Sequence, residues 1–315
     1  MTRAQPLELA VAVVSFQTRD LLERCLLSLR AAAPAQTVVV DNGSSDGSIE
    51  LVRSGFPEVQ LIVNEPNRGY GAAANQAIAA CAAPAVLLLN SDTEIAPDAL
   101  RALGGYLAEH PRAAVVGPRL VNADGSLQPS TLSFPSPADM LMGDTGLHLL
   151  VSRLPGVRER FLRTWAHDAA RPVPWVRGAA LAIRRSAFDA VGGFDERYFM
   201  YWEEVDLCRR LGDAGHETHF APVTDVRHVR AASTGKQPAA MRRAWLVSYG
   251  RYLSRHETPR AAAVQLGLLR AFVLARARRD RIRLRLARDP ARRARLRAAV
   301  EGWDALLGER ELWQA

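Results

Sequence analysis

Residues 9–16, LAVAVVSF, form an unbroken apolar, β-branched run of strand length. Similar short runs recur at TVVVD (37–41), VQLIVN (59–64), AVLLLNSD (85–92) and AAVVGP (113–118). Between them lie segments with helical spacing. In TRDLLERCLLSLRAA (18–32), Leu21, Leu22, Cys25, Leu26 and Leu29 fall on one face, with Thr18 as N-cap. A short helix is expected after NGSSDGS, another around Ala72–Cys81 and a third from about Pro97 to His110. Strands uninterrupted by polar residues and separated by helices predict a parallel sheet covered on both faces. Ligands of such sheets bind beyond the carboxyl ends of the strands. Two strands end there in an acid: Asp41 after TVVV and Asp92 after LLLNS.

The alternation then loosens. NADGS (122–126) carries a hairpin-type Asp-Gly turn. Residues 129–174 are rich in proline and glycine, with a helix expected near 158–167. Strand character returns in VPWVRGAALAIRR (173–185), followed by the helix SAFDAV, the turn GGFDE and a helix running to about Ala214. HETHFAPVTDVRHV (216–229) reads as strand, and from about Arg242 the chain is helical and basic, with Pro290 dividing two helices. The expected organisation is a catalytic domain over 1–235 and a basic helical region over 236–315. The catalytic domain would have a nucleotide-binding half (about 8–120) and an acceptor half (about 121–235).

Composition narrows the class. The apolar share of 48% and charged share of 23% are those of a soluble globular chain. The net charge is +8, and Lys236 is the only lysine among 41 basic residues. Such arginine bias reflects GC-rich coding more readily than a nucleic-acid surface, and no nucleic-acid-binding motif is present. Cys25, Cys81 and Cys208 show no metal-type spacing and read as buried thiols in a reducing cytoplasm. No run approaches 18 apolar residues, and the first residues lack the pattern of a signal peptide. A cytoplasmic protein is expected, one that could sit peripherally on the inner membrane's cytoplasmic face. Between Arg276 and Arg297 there are 11 arginines against Asp280 and Asp289. With Leu284, Leu286, Leu296 and Val300 they could form a surface for anionic lipids. They could equally form a solvated helical pair packed on the catalytic domain, or a homodimer contact.

Four stretches carry candidate chemistry. In YWEEVDLCRR (201–210), Glu204, Leu207, Cys208 and Leu211 fall at i, i+3, i+4 and i+7. Glu204 therefore shares an apolar face. A carboxylate so placed must be paired, metal-bound or raised in pKa, and a raised pKa suits a general base. Asp206 and Arg210 read as an i,i+4 pair on a solvated face, with Glu203 at the edge. In LLLNSDTE, Asn90, Ser91 and Asp92 offer oxygen ligands for Mg2+ or Mn2+ at the sheet's binding edge. The alternative is that Asp92 or Thr93 caps the following helix. In NRGYGAAANQA (67–77), Gly69, Gly71 and Ala74 fit G-x-G-x-x-A, yet the motif follows the third strand rather than the first, which argues against a dehydrogenase. These glycines could still let the backbone approach phosphate or base. His228 ends a strand, a position where a structural role is more usual than a ligand role.

Taken together, VAVVSFQTRDLLERCLLSL, VVVDNGSSDGS, NRGYGAAANQAI, LLLNSDTEI, WVRGAALAIRR and VGGFDERYFMYWEEVDLCRR followed by RHV resemble glycosyltransferase family 2, most closely its bacterial rhamnosyltransferase-like branch. The resemblance spans about residues 8–235. It implies the α/β GT-A fold, a Rossmann-like, mostly parallel sheet with helices on both faces, here with a C-terminal helical extension. It also implies that Ser15, Phe16 and Asp41 hold the nucleotide base, with Arg68 a further base or phosphate contact. Asn90 and Ser91 match the family's D-x-D element with its first acid replaced, so that metal binding falls on Asp92. His228 matches a metal- or diphosphate-contacting histidine, and Gly178 and Ala179 match the segment lining the donor sugar. Glu204 matches the general base, with Glu203 beside it where many relatives carry a Glu-Asp pair.

The implied reaction is inverting, metal-dependent hexosyl transfer. The donor would be a dTDP- or UDP-sugar, carrying rhamnose or a related hexose. The acceptor would be a glycan or lipid-linked hydroxyl in cell-envelope synthesis, bound by residues 133–172. Trp202 is a candidate to stack on a sugar, and Trp165 reads more readily as core. A non-catalytic nucleotide-sugar-binding protein and a nucleotidyltransferase are the alternatives. The first is disfavoured by the presence of both Asp92 and Glu204, the second by the lack of glycines in VVSFQTRD.

Overall fold

The structure, a computed structural model, describes residues 5–136, 165–229 and 238–313. The chain divides into two compact units, one within Met1–Phe134 and Arg158–Lys236, the other within Pro135–Val157 and Gln237–Ala315. The helix expected near 158–167 and most of the proposed acceptor segment lie outside the described residues.

The first unit begins with β1 (Leu9–Ser15), α1 (Arg19–Ala32), β2 (Thr37–Asp41), α2 (Ser48–Gly55), β3 (Gln60–Val63), α3 (Tyr70–Ala79), β4 (Ala85–Asn90), β5 (Thr93–Ile95), α4 (Ala99–Glu109) and β6 (Ala113–Val121). It continues with β7 (Leu127–Gln128), β8 (Thr131–Leu132), β9 (Arg171–Pro172), β10 (Trp175–Val176), β11 (Ala180–Arg184), α5 (Arg185–Ala190), α6 (Glu203–Asp213) and β12 (Glu217–His228). The main sheet runs β3-β2-β1-β4-β11-β6-β12-β5. Strands β3, β2, β1 and β4 are parallel, as the continuous apolar runs predict. Alternate residues of these runs feed opposite layers. Val11, Val13, Leu87 and Leu89 pack on one face, and Ala10, Ala12, Val14, Val86 and Leu88 on the other. Each fully buried valine or leucine contributes about 1.5–3 kcal/mol relative to exposure. β3 departs from the pattern: it is an edge strand whose residues are half-buried or exposed.

Two later strands bring distant sequence to the binding edge. β11 inserts antiparallel between β4 and β6, so the parallel run is not continuous through β6. The Asn90 N–H donates to the Ala179 carbonyl at 3.1 Å, which sets Gly178 and Ala179 against the end of β4. β12 runs parallel to β6 and then pairs antiparallel with β5, with His228 opposite Thr93. This register places His228 beside Asp92. The hairpin between β6 and β7 turns at Asp124-Gly125, where Gly125 has φ +80°.

The second unit contains α7 (Pro238–His256), α8 (Pro259–Leu286) and α9 (Pro290–Gly308), divided at Pro290. Thr258 and Asp289 cap α8 and α9, their side chains accepting from the Ala261 and Arg292 N–H groups. Among the described residues no helix is long and apolar enough to cross a membrane.

Candidate functional site

At the carboxyl edge of the parallel strands, Asp41 ends β2 fully buried. Its Oδ1 accepts from the Gly43 and Ser44 N–H groups at 3.1 and 2.7 Å, while Oδ2 is buried and accepts nothing. Burial raises its pKa, and the two N–H bonds hold it back. Ser15 lies opposite Asp41 in the sheet register, fully buried, and Phe16 follows it, half-buried. Thr18 does not cap α1 through its side chain. Its hydroxyl instead lies 2.7 Å from that of Ser91, tying the end of β1 to the turn after β4. Arg68 lies on the surface, 3.7 Å from Glu196.

That turn carries Asn90, Ser91 and Asp92. The Asn90 Oδ1 and Asp92 Oδ1 atoms are buried without a hydrogen-bond partner. The His228 Nε2 approaches Asp92 Oδ1 to 3.3 Å, and the other ring nitrogen, Nδ1, lies 2.7 Å from Gln128 Oε1. Gln128 also donates to Asn122 Oδ1, so the β6–β7 hairpin orients the imidazole. Neither Asp92 nor Thr93 caps α4. Thr93 enters β5 and donates to the Asn90 carbonyl at 2.7 Å, and Asp98 precedes the helix. Among the described residues no three His, Cys, Asp or Glu side chains form a complete metal cage. One carboxylate, one imidazole and the Asn90 amide oxygen would suit a hard divalent ion that took its remaining ligands from phosphate oxygens and water.

The acidic helix α6 supplies the third group. Tyr201 and Trp202, at φ +68° and +71°, make a left-handed turn directly before it. Each such residue costs about 1–3 kcal/mol, a strain that concentrates at working sites. Two expectations fail here. Asp206 is not solvated: it is fully buried and accepts from the Arg210 Nε at 2.7 Å, while the same guanidinium donates to the Val191 and Gly193 carbonyls. Glu203 is not at the rim: it is 5% exposed, more enclosed than the half-buried Glu204. Neighbouring segments cover the Asp206–Arg210 side of α6 as well as its Leu207–Leu211 side, so the charged side is not a wet one. Glu203 Oε2 and Glu204 Oε2 are each buried and unpartnered. Burial pushes Glu203 well above the ordinary carboxylate range, reinforced by Glu204 beside it. Burial also raises Glu204, but the Gly178 N–H and the Arg177 charge draw it back down.

Five buried carboxylate or amide oxygens therefore stand unsatisfied at one edge, where native interiors leave few. Residues 6–248 match the profile of the family described as Glycosyltransferase like family 2. The chain belongs to this family. As a family 2 glycosyltransferase it is 37% identical over 249 residues to the N-acetylglucosaminyl-diphospho-decaprenol L-rhamnosyltransferase of Mycobacterium tuberculosis, covering 74% of this chain and 79% of the relative. Its fold is similar to that of a mannosyltransferase from Pyrobaculum calidifontis solved with GDP-Man and Mn2+, at TM-score 0.55 and 15% identity over 97% of this chain and 88% of that one. It is also similar to GalNAc-T7 solved with UDP, GalNAc and Mn2+, at TM-score 0.57 and 17% identity over 79% of this chain and 48% of that one. The GT-A architecture expected from the sequence is the one found.

Tyr70, Asn42 and Gln128 contact the candidate-site residues Gly178, Arg68 and His228, and no sequence motif marks them. Tyr70 opens α3, donates through its hydroxyl to the Gly178 carbonyl at 3.0 Å, and lies within the field of Glu203, Glu204 and Asp92. It is the one aromatic residue in YGAAANQAIA, a signal in retrospect. Asn42 accepts from Asn64 and from the Arg68 N–H and donates to Asn67 and the Gly69 carbonyl, fixing the loop before α3. Gly69 and Gly71 are required by close packing. A Cβ on Gly69 (φ +86°) would lie 2.5 Å from the Phe199 carbonyl oxygen, and one on Gly71 would meet Phe194 at 3.3 Å. Trp165 is core, stacked on His167 with the Arg171 guanidinium over its ring. Trp202 is half-buried at the mouth of α6.

Proposed function

We infer that the protein is an inverting, divalent-metal-dependent rhamnosyltransferase that moves L-rhamnose from a dTDP- or UDP-linked donor to N-acetylglucosaminyl-diphospho-polyprenol. The substrate assignment rests on the 37% identical mycobacterial relative, which is named for that acceptor and that sugar. The observation that carries the reaction type is the set of five unsatisfied buried oxygens at one sheet edge. In this reading Asp41 Oδ2 accepts the ring N–H of a thymine or uracil, with Ser15 and Phe16 completing the base site and Arg68 reaching toward base or phosphate. Asp92 and His228 would hold the ion, with Asn90 and Ser91 bordering it. Bound there, a divalent cation supplies charge neutralisation for the departing diphosphate.

Glu204 is assigned the general base. It is the more accessible of the two acids, and hydrogen bonds from its own and the Gly178 backbone N–H groups, with the Arg177 charge, oppose the rise that burial causes in its pKa. It takes the proton from the acceptor hydroxyl as that oxygen attacks the anomeric carbon, and the bond to the diphosphate breaks on the opposite face. Glu203, enclosed and with its carboxyl pushed well above the ordinary range by burial, favours the neutral form and places its neighbour. Gly178 and Ala179, without bulky side chains beside Glu204, leave room for the donor sugar, and Trp202 borders the acceptor side. Incubation with dTDP-L-rhamnose and the N-acetylglucosaminyl lipid, with and without Mn2+ or Mg2+, tests the assignment. Metal-dependent formation of a rhamnosyl lipid of inverted anomeric configuration is expected; transfer undiminished by chelator, or retained configuration, would contradict it.

A further inference from the structure

Helix α8 is apolar on two opposite faces. Ala262, Leu266, Leu269, Val273 and Ala277 are buried on one, and Tyr249 of α7 donates to Gln265 while Trp303 of α9 donates to Asp280 on the same side. At about 100° per residue, Val264, Ala271, Ala275, Ile282 and Leu286 fall on the opposite side, at spacings of seven and four. That stripe is uncovered: Ile282 is 54% and Leu286 76% exposed, with Val264 and the neighbouring Leu274 about as open. Arg278, Arg279 and Arg285 flank it, all exposed. The residues singled out from the sequence alone were partly different. Leu284, Leu296 and Val300 are half-buried, so only Leu286 of that set belongs to the open face.

We propose that this face of α8 docks on a bilayer surface rich in anionic phospholipid, its apolar stripe entering the headgroup boundary and its flanking arginines meeting lipid phosphates. A helix lying in the interface needs this combination of an apolar stripe and a cationic border. Charge complementarity selects the occupant. Between Arg276 and Arg297 arginines outnumber acids by nine, so a second copy of the same face would bring like charges together. Both acids of that stretch have partners within the helices, Asp280 contacting Arg279, Arg283 and Trp303 and Asp289 capping α9, while Asp304 beyond it pairs with Arg281. Arginine also carries its charge on a long apolar stem, which lets it reach phosphate while the stripe is immersed.

The test uses the full chain, without substrates, so that its outcome is independent of the proposed reaction. Co-sedimentation is measured with vesicles of phosphatidylcholine alone and with equimolar phosphatidylcholine and phosphatidylglycerol, at low and high salt. The protein should bind the anionic vesicles at least about tenfold more tightly than the neutral ones, and lose most of that binding at high salt. The pair Ile282→Ser with Leu286→Ser, and separately Arg278→Gln with Arg285→Gln, should each weaken binding by about tenfold or more while leaving circular dichroism unchanged. Equal binding to both vesicles, or undiminished binding by both folded variants, would overturn the proposal. So would light scattering that shows a wild-type dimer made monomeric by the serine pair, since a second copy would then cover the face.

Discussion

Glu203 and Glu204 are chemically alike and adjacent, and burial raises the pKa of both, carrying Glu203 well above the ordinary carboxylate range. The folded state favours neutral Glu203, because burial raises its carboxyl and Glu204 adds to the rise. Its contribution to stability is therefore fully present below the unfolded pKa and is lost as pH rises through the folded one. Glu203→Gln should match wild type in denaturant midpoint at acidic pH and exceed it at alkaline pH. Equal midpoints throughout would show that Glu203 is not the strained acid. For Glu204 the base must be ionised, so the transfer rate should fall with decreasing pH along a limb above the usual glutamate range. Tyr70→Phe removes the hydroxyl that anchors Gly178, whose N–H helps keep Glu204 ionised. That variant should move the acidic limb to higher pH, whereas a purely structural Tyr70 would lower the rate equally at every pH.

At the scale of elements, the site is assembled by tethers rather than by α6 itself. Arg210 ties the helix to the 191–193 turn through two carbonyls and neutralises fully buried Asp206. Arg210→Met should destabilise the fold by about 3–5 kcal/mol, because Asp206 is left buried without its charge partner; a chemical-denaturation shift below about 1 kcal/mol would contradict this. Gly69→Ala should also be costly, since its Cβ meets the Phe199 backbone and its φ of +86° is left-handed. The parallel half of the sheet was legible because each strand is a solid apolar run with both faces buried. The placement of Asp41 and Asp92 at strand ends followed from the same runs. The insertion of β11 between β4 and β6 was not legible, since an apolar pentapeptide does not encode its direction or its neighbours. Nor was the burial of Asp206, because an i,i+4 pair with arginine reads the same on a wet face and in a closed one. Gln128 was invisible for a related reason: its role exists only through the register that brings His228 within 2.7 Å.

For the whole molecule, one edge of a mixed sheet collects groups from β1, β2, the β4–β5 turn, the segment before β11, α6 and the end of β12. Residues spread from Ser15 to His228 are thereby gathered at one edge, all within the span of the family match over residues 6–248. The basic helices belong to the second compact unit, where the open face of α8 is the proposed lipid contact. Glu204 is proposed to perform the proton transfer while nucleotide binding depends on other residues. The most direct measurement compares wild type and Glu204→Gln for rhamnosyl transfer from dTDP-L-rhamnose to N-acetylglucosaminyl-diphospho-decaprenol, alongside calorimetric binding of the nucleotide. Loss of transfer by a factor of about 10²–10⁴ with nucleotide affinity unchanged is the predicted result. A variant that keeps transfer within a few-fold of wild type would contradict the account.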